Sequence, residues 1–420
     1  MKFFLRRRIK NKILKETIWS FLTKGITFIL FLLTNVYLAR VLGVQGFGEW
    51  SYLLSIITIF LTLSYFGINT STKVFIARNN KTNNLKSIFR DSLLLRTKVS
   101  IISAIIFLTI AFPLSRIMNK PEFFVLFLFA TPFILFKSFV EFNKNVFQGL
   151  HRLKFQFFIN FSEFGLNLIL SIILLKLILS INSVLYAFII SSIITSILGF
   201  LFFGKTYRSL KGNIKEDYQK KIFNYSIPLV LIGVGFILMT EIDTIMLGLL
   251  LGELEVGVYA VAKNLINKLP QIAFAISLGV MPIFAKMSLE NKSEMKNKFK
   301  KLLLINSLIY IPLTLVLIFL SPWIIIFLFG IEYTASILPL QILSIWVLMV
   351  SYNIFQSSFM DYQKKAWKRT KNFSIAIILN IILNIILIPR YGPVGAALGT
   401  TISYIPYFIA NWIEVRKSWN

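Results

Sequence analysis

The chain has 420 residues but no cysteine and only one histidine, His151. Without cysteine the protein forms no disulfide, no thiolate metal site and no cysteine nucleophile. A single histidine excludes metal sites built from several imidazoles. We expect no metal site and no cofactor, and we assign no catalytic residue.

Acidic residues are scarce. The chain has 17 Asp and Glu against 45 Lys and Arg, which gives a net charge of +28. Such an excess is compatible with nucleic-acid binding, but here the cations lie in short segments between long apolar runs. That arrangement indicates membrane topology and attraction to anionic lipids of the inner leaflet. We expect membrane lipids as partners, and no nucleic acid.

Long polar segments are also missing, since 56% of the residues are hydrophobic and the mean hydropathy is +0.76. Each apolar run is long enough to cross a bilayer as a helix, which takes about 20 residues. The sequence therefore predicts an all-α, polytopic membrane protein. Its twelve predicted spans cover residues 17–38, 50–70, 91–115, 122–142, 155–178, 183–204, 223–248, 257–285, 302–329, 337–360, 372–389 and 393–413.

The distribution of Lys and Arg predicts the orientation. With a cytoplasmic N-terminus, the inside segments carry 34 of these cations and the outside loops carry 5. This is a strong positive-inside pattern. It predicts a multi-pass protein of the cytoplasmic membrane with both termini in the cytoplasm. The first apolar run lacks an Ala-x-Ala cleavage pattern, so we expect a retained first helix.

The sequence repeats itself. Residues 42–50 and 251–259 share a pattern at an offset of 209, and 145–149 matches 353–357 at an offset of 208. Further matches pair Pro132 with Pro339 and 166–170 with 379–383. The repeats predict two six-helix lobes, 1–210 and 211–420, related by a pseudo-two-fold axis along the membrane normal. A substrate cleft is expected between them.

Six cations lie inside the predicted spans, where a charge costs at least about 2.5–3.5 kcal/mol and marks a functional candidate. Lys24 is in span 1, and Lys263 and Lys268 are in span 8. We expect these three lysines to line the cleft and bind substrate. A cationic cleft suits an anionic ligand, because lysine binds phosphate as a point charge.

Three acids lie in the spans as well. Glu241 and Asp243 are in span 7, where they are expected on different helix faces, and Glu163 is in span 5. These acids are candidates for ion coupling through H+ or Na+. The alternative, which the sequence leaves open, is that they are counter-ions for the lysines.

The remaining intramembrane charges have structural interpretations. Lys137 and Glu141 are spaced to form an i, i+4 pair on one helix face. Arg96 and Lys98 are near the inner end of span 3. We expect both to extend towards the cytoplasmic interface.

Several motifs run through the chain in one order. They are Asn35–Gly43 with Phe47–Ser51, Tyr65–Ile68, Phe147–Leu150, Ile242–Gly248, Gly257–Lys263 and Pro393–Ala397. Together they resemble the polysaccharide flippases of the multidrug/oligosaccharidyl-lipid/polysaccharide exporter superfamily, the Wzx-type translocases of O-antigen and capsule repeat units.

The resemblance implies a two-lobed fold of twelve helices. It implies transfer of an oligosaccharide linked to undecaprenyl pyrophosphate across the cytoplasmic membrane by alternating access. Cationic cleft residues would engage the pyrophosphate, an ion gradient would drive the cycle, and polysaccharide polymerase machinery is an expected partner. The chain lacks the paired arginines and two extra helices of the peptidoglycan-precursor branch.

Two other functions were weighed. An ion-coupled multidrug or metabolite antiporter of the same fold would have an acid-dominated, aromatic pocket, whereas here the spans hold six cations. A polytopic glycosyltransferase, polymerase or ligase needs a large outside loop with catalytic carboxylates or arginines. The outside loops are short, so we do not expect an enzyme.

Overall fold

The structure is a computed structural model that describes residues 2–80, 82–208, 210, 217–277, 292–363 and 365–418. Within these residues it is all-helical, with no strand. A 3-10 helix covers Ile331–Ser336. The α-helices are α1 (Lys2–Tyr65), α2 (Ile68–Asn79), α3 (Leu85–Ile117), α4 (Phe123–Gly149), α5 (Leu153–Leu177), α6 (Ile181–Arg208), α7 (Gln219–Leu250), α8 (Glu253–Ile266), α9 (Lys292–Phe319), α10 (Ser321–Leu328), α11 (Ile337–Tyr362) and α12 (Ala366–Lys417).

Within the described residues, nine helical segments are long and apolar enough to cross a membrane. This confirms a multi-pass membrane protein. They account for every predicted span except the eighth, because α1 and α12 each contain two. The eighth span, 257–285, covers α8 and a helical stretch at 271–277, and its remainder lies outside the described residues. The count of twelve therefore stays a prediction.

Glycines divide the two longest helices into the predicted spans. Gly43 breaks α1 with φ 68° and ψ −179°, and Gly392 breaks α12 with φ 54°. Gly252, which the repeat equates with Gly43, has φ 98° and ψ −174° between α7 and α8. Positive φ strains residues that carry a Cβ atom, so glycine is needed at these breaks.

Two further glycines allow α1 and α8 to cross closely. A Cβ atom on Gly48 would lie 1.8 Å from the carbonyl oxygen of Glu253, and one on Gly257 would lie 2.0 Å from that of Val44. Gly48 and Gly257 are equivalent positions of the repeated motif. The two copies of the motif thus contact each other through the same residue type, although the pseudo-two-fold relation of whole lobes stays a prediction.

The chain divides into two compact units. Unit 1 comprises Met1–Leu38 and Leu53–Ile237, and unit 2 comprises Ala39–Tyr52 and Leu238–Asn420. Both α1 and α7 therefore contribute to each unit. The lobe limits that the repeats predict, 1–210 and 211–420, stay a prediction.

Unit 1 has a core of large apolar side chains from α2, α3, α4 and α6, including Phe89, Phe142 and Phe203. The opposite face of α3 exposes isoleucines, such as Ile102 and Ile105. A helix that buries one apolar face and exposes another is typical of a lipid environment, where exposed isoleucine carries no penalty.

Two segments that the charge pattern placed in inside loops are helical. Residues 68–79 form α2, which begins after Phe66 and Gly67, both with positive φ. Helix α4 continues to Gly149, so residues 143–149 belong to it. Lys144, counted as a loop cation in the sequence, is therefore on a membrane helix.

Candidate functional site

Four charged side chains of α4 and α5 form a cluster inside unit 1, in which Lys144 and Glu163 are buried and Lys137 and Glu141 are partly buried. Lys137 Nζ lies 3.1 Å and Lys144 Nζ lies 2.8 Å from Glu141 Oε1. Both ammonium groups also contact Glu163, one on each carboxylate oxygen. The ring of Phe164 lies within 6.0 Å of both. We call Lys137, Glu141, Lys144 and Glu163 the unit 1 charge cluster.

This cluster pairs every charge it contains. The predicted pair of Lys137 and Glu141 is confirmed. Glu163, a candidate for ion coupling, is bonded to two lysines, which is the counter-ion arrangement that the sequence left open. Lys144 was missed. Reading α4 as a helix to Gly149 would have placed it one turn beyond Glu141, on the face of Lys137.

Arg96 is buried, and the prediction that it extends to the interface is wrong. Its guanidinium donates to the carbonyl oxygens of Ser64 and Tyr65, at 2.7 and 3.2 Å, and to Ser100 Oγ at 2.9 Å. Ser64 and Tyr65 end α1, so their carbonyls have no acceptor role left within the helix. Arg96 therefore caps that helix end. Lys98 is exposed and donates to Gln219 Oε1 at 3.2 Å.

A second set of polar groups surrounds Asp243 inside unit 2. Tyr259 from α8 donates to Asp243 Oδ2 at 2.8 Å, and Asn384 from α12 donates to Oδ1 at 2.6 Å. The hydroxyl of Thr400 also donates to this carboxylate. The side chain is 2% exposed. Asp243 is thus a buried carboxyl group surrounded by neutral hydrogen-bond donors.

Lys263 lies beside Asp243. Its ammonium donates to Glu241 Oε2 at 2.6 Å and to Thr244 Oγ1 at 2.8 Å. Glu241 and Thr244 are one turn apart on α7, while Tyr259 and Lys263 are one turn apart on α8. We call Glu241, Asp243, Thr244, Tyr259, Lys263, Asn384 and Thr400 the unit 2 acid network.

The unit 2 acid network contains two carboxylates and one lysine. Glu241 turns towards Lys263, whereas Asp243 turns towards Tyr259 and α12. The expectation that the two acids lie on different faces of α7 agrees with this arrangement. One network nevertheless holds both, because Tyr259 and Lys263 on α8 reach one acid each.

A small cavity adjoins this network. Its lining includes Asp243, Lys263, Trp346 and Thr400. On this lining, the buried Nε1 atom of Trp346 has no hydrogen-bond partner. The Oδ1 atom of Asn384, whose amide donates to Asp243, has none either. An unpaired buried polar atom costs about 1–3 kcal/mol.

The other two predicted substrate lysines are only partly buried. Lys24 is on α1 in unit 1, and Lys268 is in the turn 267–270 after α8. Lys263 and Lys268 do not belong to one continuous helix, because α8 ends at Ile266. Pro270 disfavours a continuous helix there, since its ring clashes with the carbonyl four residues earlier. That Lys24 lines the same cleft as Lys263 stays a prediction.

Four members of the unit 2 acid network were not predicted from the sequence: Thr244, Tyr259, Asn384 and Thr400. A signal for some of them was present. Asn380 and Asn384 are one helical turn apart in an apolar run, and Tyr259 is one turn before Lys263. Polar residues at helical spacing inside a span predict a shared polar face.

Two family models match the chain. The model described as polysaccharide biosynthesis protein matches residues 13–288, and the MatE model matches residues 228–389. The first covers well over half of the sequence. The second contains all of the unit 2 acid network except Thr400.

Curated relatives are similar over much of their length. An uncharacterized membrane protein of Methanocaldococcus jannaschii is 25% identical over 94% of this chain and 95% of the relative. A capsular polysaccharide biosynthesis protein of Staphylococcus aureus is 28% identical over 60% of this chain and 66% of the relative. A probable low-salt glycan biosynthesis flippase of Haloferax volcanii is 24% identical over 47% of this chain and 43% of the relative.

Solved structures share the fold. An inward-facing multidrug resistance MATE family transporter has a TM-score of 0.77 at 15% identity, over 95% of this chain and 98% of that one. A lipid II flippase, MurJ, has a TM-score of 0.72 at 19% identity, over 97% of this chain and 89% of that one. This chain belongs to the polysaccharide biosynthesis protein family, and it shares the fold of transporters of the multidrug/oligosaccharidyl-lipid/polysaccharide exporter superfamily.

Proposed function

We propose that the protein translocates oligosaccharide repeat units linked to undecaprenyl pyrophosphate across the cytoplasmic membrane, for the synthesis of surface polysaccharide. The observation that carries the proposal is the family match over residues 13–288. Two relatives support it, because their names refer to capsular polysaccharide biosynthesis and to a glycan flippase.

The substrate contact is Lys263. Lys263 is 7% exposed and lines a cavity. A phosphate bound there would meet little competition from water. Lysine binds phosphate strongly in such places without needing bidentate geometry. Lys24 and Lys268 are further cationic contacts for the pyrophosphate or for acidic sugars.

Asp243 is the coupling site for H+ or Na+. The carboxylate faces Thr400 and Asn384, and the Asn384 Oδ1 atom has no partner. Carboxylate, hydroxyl and amide oxygens suit a proton or a hard monovalent cation. Glu241 is the second acid of the same site. Glu163 would couple to an ion only after losing one of its two lysine partners.

Substrate and ion are linked through Lys263. When a phosphate draws this ammonium away from Glu241, two carboxylates remain without a cation. They then gain affinity for H+ or Na+, and by reciprocity the bound ion raises the affinity for the phosphate. An alternating-access cycle, as the sequence predicts, would carry both together.

The test is complementation of a bacterium that lacks its own repeat-unit flippase. Surface polymer should return with the intact chain and fall strongly with Lys263→Met. Lys98→Ala is the matched control, since Lys98 is exposed and its ammonium donates to Gln219 Oε1. If Lys263→Met, Lys24→Met and Lys268→Met together leave surface polymer unchanged, the cationic contacts are wrong.

An ion-coupled multidrug or metabolite antiporter is the second candidate. The observation that favours it is the composition of the unit 2 acid network, which has two acids, one lysine and the aromatic ring of Tyr259. Cells that gain drug resistance but no surface polymer would support this function over the flippase.

A further inference from the structure

A polar face runs along the second half of α12. Thr400, Tyr404, Tyr407 and Asn411 follow one another at intervals of four, three and four residues. All four are buried in unit 2, between 0% and 6% exposed. At helical spacing they form one continuous stripe, which begins at the carboxylate of Asp243 and leads towards the C-terminal end of the helix.

The lower part of the stripe is a chain of amides. Asn353 of α11 donates to the Tyr404 hydroxyl at 2.7 Å, and Asn411 donates to Asn353 Oδ1 at 2.9 Å. Asn372, in the first half of α12, donates to Asn411 Oδ1 at 3.0 Å. We call Asn353, Asn372, Tyr404 and Asn411 the inner amide cluster.

The upper part surrounds Asp243. Asn384 donates both to Asp243 and, at 3.2 Å, to Asn380 Oδ1, and Asn380 donates to Thr400 at 3.5 Å. These groups form a closed ring of polar contacts. The inner amide cluster begins one helical turn further along α12, at Tyr404.

Aromatic rings separate the two parts. Trp346 lines the cavity at Asp243, and its ring meets that of Tyr404 at 6.0 Å between centroids. Tyr404 meets Tyr407 at 5.2 Å, and Tyr407 meets Phe373 at 5.2 Å. The hydroxyl of Tyr404 faces the inner amide cluster. Four rings therefore lie between the upper part and the inner amide cluster, and the Tyr404 hydroxyl makes its polar contact on the inner side.

Buried polar atoms without partners occur along the same path. They are Asn384 Oδ1 and Trp346 Nε1 at the upper part, and both amide atoms of Gln356 one turn from Asn353. Gln356 is 1% exposed. Buried water molecules commonly satisfy such groups, typically with about three hydrogen bonds each. The unpartnered atoms of Trp346 and Gln356 therefore mark two places along the stripe where a buried water could bond.

The inner amide cluster leads to the end of the helix bundle. Asn411 is three residues before Glu414, whose carboxylate lies 3.1 Å from Lys368 and 3.5 Å from Lys365. The side chain of Lys368 is 58% exposed. This end holds the C-terminal turn of α12 and is predicted to be cytoplasmic.

We propose that the path from Glu414 through the inner amide cluster to Asp243 conducts protons along bound water, connecting the ion site with the cytoplasm inside unit 2. The side chains between the two ends are amides, hydroxyls and aromatic rings, which hold water without trapping a charged species. The rings of Trp346 and Tyr404 leave little room in this path, which favours a proton over a hydrated metal cation.

The proposal rests on Asp243 as the coupling site and not on the identity of the glycan. The titratable groups that face Asp243 are Glu241 on its own helix and Tyr259 and Lys263 from α8. From α11 and α12 the described neighbours are neutral, namely Trp346, Asn384 and Thr400. Proton supply by a charged neighbour would have to come from α7 or α8.

The experiment measures carbodiimide modification of Asp243 in membrane vesicles of known orientation. A carbodiimide reacts with the protonated carboxyl group, and mass spectrometry of the Asp243 peptide gives the rate. The pH is varied on one side while a buffer holds the other. Lowering the cytoplasmic pH by one unit should raise the rate by up to about tenfold, while the opposite side has little effect.

Two variants block the path. Asn353→Leu and Gln356→Leu each replace an amide by an apolar group of similar size, and each should reduce the response to cytoplasmic pH several-fold. Ser344→Ala is the control on the same helix, because this buried hydroxyl bonds only the carbonyl of Leu340. Retention of the monodisperse peak in detergent shows that each variant folds.

Three outcomes would overturn the proposal. Modification that follows only the pH of the opposite side excludes the path, as does an unchanged response in both variants. Protection of Asp243 by cytoplasmic Na+ at constant pH, without a pH response, would mean a metal cation. The proposal for the glycan substrate is tested separately, because it fails if complementation is absent. Full transport by the Asp243→Asn variant would remove the coupling role of Asp243, but it would not change the measured response of Asp243 to cytoplasmic pH.

Discussion

The unit 1 charge cluster and the unit 2 acid network differ in how their charged side chains are compensated. In unit 1, two lysines and two glutamates of α4 and α5 compensate each other, and Glu163 contacts both ammonium groups. In unit 2, one lysine faces two acids, and neutral donors hold Asp243. Both clusters are buried in apolar helices, yet only the second has an uncompensated acid.

The difference teaches which of the two can change state. A closed set of ion pairs is costly to open, since each freed charge would remain buried without a partner. Asp243 can accept a cation without losing an ionic partner, and Lys263 can leave Glu241 for a phosphate. The unit 1 charge cluster therefore suits a structural role, and the unit 2 acid network suits a transport cycle.

Removing Glu163 should have the largest effect on stability. Glu163→Ala leaves two buried ammonium groups with Glu141 as their shared partner, and loss of one partner of a buried pair costs about 3–5 kcal/mol. We expect a clear fall in the thermal unfolding temperature in detergent. The double variant Glu163→Gln with Lys144→Gln should recover part of the loss, because it removes one charge of each sign. An unfolding temperature equal to that of the unchanged protein would contradict the structural role.

Neutralising Asp243 should affect transport rather than stability. Asp243→Asn keeps the shape of the side chain, and its oxygen still accepts from Thr400 or Tyr259. We expect an unfolding temperature near that of the original protein and at least about a tenfold lower transport rate, equivalent to about 1.4 kcal/mol. Surface polymer and purified-protein unfolding are measured on the same variant. A stability loss as large as that of Glu163→Ala would erase the contrast between the two clusters.

Releasing Lys263 should raise its affinity for phosphate. Glu241→Gln removes the carboxylate at 2.6 Å, so the ammonium no longer exchanges an ionic partner when a phosphate binds. Inorganic pyrophosphate is the probe, measured by calorimetry on the purified protein. We expect binding that is tighter by about threefold to tenfold, or about 1 kcal/mol. The pair Glu241→Gln with Lys263→Met should bind no better than Lys263→Met alone.

Thr244→Val should give the smallest effect. The Thr244 hydroxyl is uncharged and accepts one of the two hydrogen bonds that the Lys263 ammonium donates. Loss of one such hydrogen bond is worth about 0.5–1.5 kcal/mol, so pyrophosphate affinity should change by a few-fold at most. A change larger than that of Glu241→Gln would mean that Thr244, and not the acid, holds Lys263 in place.

Both clusters could be predicted from the sequence only in part. Lys137 with Glu141 was predictable because the two are one turn apart on one helix. Glu163 could not be assigned to them, since α5 is a separate helix and its distance to α4 depends on packing. In unit 2 the sequence indicated Glu241, Asp243 and Lys263 as candidates. It gave no reason to join them with Asn384 and Thr400, which are 141 and 157 residues from Asp243 along the chain.

By itself, the sequence determined the all-helical class, the membrane environment and the intramembrane charges, because apolar length and the scarcity of charge are local properties of the chain. The tertiary structure decided what each charge does. It buried Arg96 against a helix end, closed Glu163 between two lysines and brought Asn384 and Thr400 to Asp243. Partners of this kind come from helices distant in sequence, and in an apolar interior the free energy of a charge depends on those partners more than on its own position.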